Sequence, residues 1–117
     1  MKINTKSWNK ILSFYKSLKD EHGWNIQPMI DLALMIQSQY KSGIYGYTSH
    51  ATLYIGQHPV LDENNAVLKI SHKPNESEVN FSYKGDNSPK YTWNKSFPEK
   101  QIKVEFNKFI KETKWII

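Results

Sequence analysis

The sequence predicts an α+β domain: two N-terminal helices, a four-stranded antiparallel sheet, and a C-terminal helix packed on one sheet face. Three observations carry this. Before residue 42 the apolar residues recur at helical spacing. From Tyr45 to Asn94 they alternate with polar ones, the period that gives a strand one greasy and one wet face. After Ser96 the helical period returns. At 117 residues the chain has the size of one domain, and residues 1–117 show no internal linker, repeat or low-complexity stretch.

The first helix is expected from Thr5 to His22. Trp8, Ile11, Leu12, Tyr15 and Leu18 fall on one stripe, and Gly23 stands where a left-handed residue closes a helix. The second is expected from Pro28 to Lys41, because proline suits a first turn. Met29 to Ile36 is apolar nearly all round, the pattern of a buried helix, and Ser42-Gly43 stops it.

Tyr45 to Ile55 reads as one strand. Tyr45, Tyr47, Ala51, Leu53 and Ile55 share the inward parity; Gly46, Thr48, His50 and Thr52 share the outward one. Gly56-Gln57-His58-Pro59 ends it, and the stretch to Asn65 reads as a turn-rich loop. Ala66–Lys73 and Ser77–Lys84 make a hairpin around Pro74-Asn75-Glu76, with Leu68, Ile70, Val79, Phe81 and Tyr83 inward. Tyr91 and Trp93 alternate with Thr92 and Asn94 as a short fourth strand. Ser96-Phe97-Pro98-Glu99 has the spacing of a capping box and opens a helix to about Lys114, with Ile102, Phe106, Phe109 and Ile110 facing the sheet.

Composition excludes several function classes. The absence of cysteine removes disulfides, thiolate metal sites and cysteine nucleophiles, and it suits a reducing compartment. The opening MKINTKSWNK has no apolar core of a signal peptide, and Met29–Ile36, broken by Asp31, falls far short of the ~20 residues that span a bilayer. A cytoplasmic protein without membrane contact is expected. The net charge is +5, and all sixteen basic residues are lysine. Arginine is the preferred residue for bidentate phosphate and guanine recognition, and the lysines scatter from Lys2 to Lys114, so a dedicated nucleic-acid reader is disfavoured.

No catalytic constellation emerges. His22, His50, His58 and His72 include no pair at metal-binding spacing, so neither a metal nor a cofactor is expected. Alternation puts His50 and His72 on opposite faces. Ser49 and His50, adjacent in one strand, point apart and lie outside any Gly-x-Ser-x-Gly elbow. The protein is therefore not expected to be an enzyme. The candidate partner-binding residues are those of the polar sheet face, His50, Thr52, Lys69, Lys73, Glu78, Asn80, Ser82 and Lys84, joined by the acidic pair Asp62 and Glu63. The strand aromatics Tyr47, Phe81, Tyr83, Tyr91 and Trp93 read as core rather than a base-stacking platform; Tyr54 alone has clear outward parity.

In size, in its Lys- and Asn-rich composition and in its helices–sheet–helix order, the chain resembles the small bacterial immunity proteins that neutralise secreted toxins, such as those of contact-dependent growth inhibition systems. The resemblance spans the whole chain and rests on no motif, so no residue role is carried over. It implies tight binding to a cognate toxin and occlusion of its active site inside the cell. Inhibitors of basic toxin nucleases are often acidic; at +5 this chain departs from that habit, which implies an acidic toxin or a local acidic patch from Asp62, Glu63, Glu76 and Glu78. Two other readings stand beside it: a Lys-rich nucleic-acid-associated protein, and a small metal-independent hydrolase or nuclease using His50 or His72.

Overall fold

Helices α1 (Trp8–His22), α2 (Gln27–Gln39) and α3 (Ile102–Thr113) cover one face of a five-stranded antiparallel sheet. Its strands are β2 (Tyr45–Ser49), β3 (Thr52–Gly56), β5 (Val67–Lys73), β6 (Glu78–Lys84) and β7 (Trp93–Pro98), in that spatial order. A separate two-stranded ribbon pairs β1 (Lys2–Asn4) with β4 (Val60–Asp62). The computed structural model describes residues 2–40 and 42–115.

The α+β class and the three helices agree with the sequence; the sheet does not have four strands. Tyr45–Ile55 is a hairpin rather than one strand. It folds back at His50-Ala51, both in the left-handed region at φ 52° and 69°, as a two-residue turn of the primed kind requires. Pairing then sets Thr48 opposite Leu53 and Gly46 opposite Ile55. Partners across such a turn are an odd number of residues apart, so one parity cannot run through it. Leu53 and Ile55 are inward as expected, but Gly46 and Thr48 join them on the helix-covered face, and Tyr47 joins Tyr54 on the outer one. His50 belongs to the turn and not to the polar sheet face.

The chain ends differ for local reasons. Helix α1 begins at Trp8 because Ser7 caps it, its hydroxyl accepting from the Lys10 amide at 3.2 Å. Gly23 closes it at φ 68°, as expected. The expected end of the second helix at Lys41 lies outside the described residues. Ser96 does not cap the third helix. It lies within β7, its hydroxyl accepting from Asn80 Nδ2 at 2.9 Å. A 3-10 turn at Glu99–Gln101 leads into α3 instead. Tyr91 and Thr92 precede β7 and form no strand; Trp93 faces the helix side, beside Phe109, but half exposed at the sheet edge.

The core joins Ile11, Leu12 and Tyr15 of α1, the apolar body of α2, and Ile102, Phe106 and Ile110 of α3 to Leu53, Ile55, Leu68, Ile70, Val79 and Phe81 of the sheet. The Tyr15 hydroxyl donates to the Ala51 carbonyl at 2.9 Å, so a core side chain holds the hairpin turn, and burial pushes its phenol well above the ordinary range. Gly46 admits α1 close to the sheet, for a Cβ there would stand 3.0 Å from Trp8. On the opposite face Gly56 is what lets the ribbon approach: a Cβ there would lie 2.5 Å from Leu61 Cδ2. No helix among the described residues is long and apolar enough to cross a membrane.

Candidate functional site: the uncovered sheet face

Strand register turns the outer face into rows. One row runs Tyr47, Tyr54, Lys69, Ser82, Asn94 across all five strands. On one side of it Ser71, Asn80 and Ser96 line up, and beyond them Lys73 faces Glu78 across β5 and β6. The sequence-predicted residues Thr52, Lys69, Lys73, Glu78, Asn80 and Ser82 thus do share one surface. At the polar end Ser82 Oγ donates to Asn80 Oδ1 at 2.9 Å and Asn80 Nδ2 to Ser96, while Lys73 Nζ lies 3.9 Å from Glu78 with both side chains largely exposed.

The aromatic end is different, and alternation alone does not predict it. Tyr47 and Tyr54, directly paired across β2 and β3, stack with centroids 4.8 Å apart and planes 5° from parallel. The loop between β6 and β7 lays Tyr91 over the same face, where Lys69 Nζ lies 5.8 Å from its ring centroid, within cation–π range. Tyr91 is 42% exposed. Beside these rings a groove of about 150 Å³ separates sheet from ribbon, floored by Ile3, Leu61 and Val67. Burial first, and then the neighbouring phenols, push Tyr47 up to about 12; burial and Tyr54 raise Tyr91 in the same direction.

Lys84 departs from the expectation of a free surface cation. Its outward position falls under the loops beside β4 and β6, and it is only 8% exposed. Its ammonium donates to the carbonyls of Glu63 and Asn65, both at 2.8 Å, and of Ser88 at 3.4 Å. Its donors are spent on holding loops. Asp62 is likewise occupied, accepting from the Asn64 amide at 2.8 Å. Asp62 and Glu63 do reach the groove wall, beside Tyr47 and Tyr91.

The histidines are placed differently from expectation as well. His50, carried by the turn, and His72, on the helix-covered face, line one cleft of about 140 Å³ together with Trp24 at the sheet end. The turn also brings Ser49 Oγ to 3.3 Å from His50 Nδ1, a contact that a continuous strand would forbid. No ion pair orients His50 among the described residues. His72 is held instead: Nε2 donates to Glu99 Oε2 at 2.7 Å, its side chain is 2% exposed, and Nδ1 is buried without a protein partner. This pair ties the end of β5 to the turn before α3. His22 and His58 are exposed and separate. No group of three or more His, Cys, Asp or Glu among the described residues is arranged to hold a metal ion.

No known protein family, no curated protein and no solved structure matches the chain.

Proposed function

We propose that the protein is a binding module that grips a partner protein with the uncovered sheet face, and that it acts as an immunity-type inhibitor of a bacterial toxin. The observation that carries the binding reading is the Tyr47–Tyr54 stack with Tyr91 and Lys69 on a sheet face that no helix covers. Tyrosine is enriched where proteins meet, because its ring supplies area at low entropic cost and its hydroxyl a directed hydrogen bond. A rigid sheet whose other face is tied into the core presents these rings preorganised, which lowers the cost of association. The toxin partner comes from the resemblance of the chain to small immunity proteins; occlusion then needs only a complementary surface and no chemistry by this chain.

The test is growth protection. Cells expressing a candidate toxin domain from the same genome are expected to survive when the protein is co-expressed. Survival falls with Tyr54→Ala and Tyr91→Ala but not with Val104→Ala, which lies on the exposed side of α3. Unprotected cells despite folded protein would remove the toxin reading.

A further inference from the structure

We propose that the aromatic end of the outer sheet face docks an acidic segment of its protein partner, a carboxylate meeting Lys69 and the hydroxyls of Tyr47, Tyr54 and Tyr91 while an adjoining apolar side chain enters the groove. This rests on the binding-module reading above and specifies the chemistry of what is bound.

The inference comes from an imbalance of donors and acceptors. No carboxylate among the described residues pairs with Lys69, whose ammonium stands over the Tyr91 ring. None of the three phenol hydroxyls is hydrogen-bonded to another described residue; Tyr91 is exposed, and Tyr47, Tyr54 and Lys69 are partly exposed. Of the acids nearby, Asp86 accepts from the Ala66 amide at 2.8 Å, and Asp62 and Glu63 stand with the ribbon side of the groove, so the docked carboxylate is placed at the Lys69 end, away from them. An ionised carboxylate, an acceptor at both oxygens, is the complement of such a set. Ile3, Leu61 and Val67 give the groove an apolar floor between polar walls that include Asp62 and Glu63, and that floor takes the apolar neighbour. A single-stranded nucleic acid fits less well. The Tyr47–Tyr54 stack spends one face of each ring on the other, and Glu78 stands opposite Lys73, the next cation along the face, whereas single-strand binding uses free aromatic faces along a cationic track.

The experiment is a titration of the full chain followed by amide nuclear magnetic resonance with three probes. They are a blocked peptide alternating Asp with Leu and Trp, its twin with Asn for every Asp, and oligothymidylate. The acidic peptide is expected to saturate, shifting signals of Tyr47, Tyr54, Lys69 and Tyr91, and its Asn twin to bind at least about tenfold more weakly. Lys69→Gln and Lys69→Glu erase that preference, whereas Lys108→Glu on α3 leaves it intact. Equal affinity for the two peptides, shifts mapping to another surface, or tighter binding of oligothymidylate at these residues would overturn the proposal. Growth protection without acidic preference removes this inference alone; acidic preference without protection removes only the toxin reading.

Discussion

The two faces of the five-stranded sheet are built from the same strands and have opposite fates. On the covered face Leu53, Ile55, Leu68, Ile70, Val79 and Phe81 are sealed under three helices. On the open face a row of the same strands carries Tyr47, Tyr54 and Lys69, and no helix closes over it. The first arrangement is what burial of apolar area demands. The second leaves Tyr91 exposed and Tyr47 and Tyr54 partly exposed, and it is the surface assigned above to the proposed partner.

Substitutions on the two faces separate folding from binding. The largest effect is expected from Phe106→Ala in α3, fully buried against the sheet: about 3–5 kcal/mol lost in denaturant unfolding, as for other large core truncations. Next comes Lys84→Met. It leaves three loop carbonyls without their donor, and about 2 kcal/mol of stability is expected to go with them. Faster amide exchange in residues 63–65 and 85–88 would show that the loops have loosened. Tyr54→Ala removes one cross-strand aromatic pair from the open face, and a loss under about 1 kcal/mol is expected. A cost as large as that of Phe106→Ala would make the open face a second core. Ala51→Gly runs the other way. It relieves a left-handed alanine at φ 69°, and a net gain of about 0.5 kcal/mol is expected after the entropy of glycine is subtracted. Destabilisation instead would mean that the Tyr15–Ala51 bond depends on the alanine.

The contrast also shows what alternation can and cannot reveal. Strands β5 and β6 are legible because Leu68, Ile70, Val79 and Phe81 keep one parity around an obvious Pro74-Asn75-Glu76 turn. The β2–β3 turn is not, because His50-Ala51 carries none of the Asn or Gly that a primed turn favours. Once it is missed, every residue before it is assigned to the wrong face, and Tyr47 disappears into a notional core. The one available signal was Tyr54, whose outward parity sits opposite a second tyrosine as soon as the segment is folded in half. Strands β1 and β4, of three residues each, are too short for a period to register. The capping-box spacing at Ser96 misleads because sheet pairing with β6 claims that residue first. Lys84 looked free because alternation reports the face of a strand and not the loops that fold over it.

The proposal that the open face is the recognition surface is tested most directly by calorimetric titration of the proposed toxin partner with wild type, Tyr54→Ala and Val104→Ala, each checked for melting temperature. Val104 is 68% exposed on α3 and serves as the control from the other side of the molecule. The expected result is at least about tenfold weaker binding for Tyr54→Ala at nearly unchanged melting temperature, with Val104→Ala indistinguishable from wild type. Undiminished affinity in Tyr54→Ala together with a loss in Val104→Ala would place recognition on the helices and contradict the account.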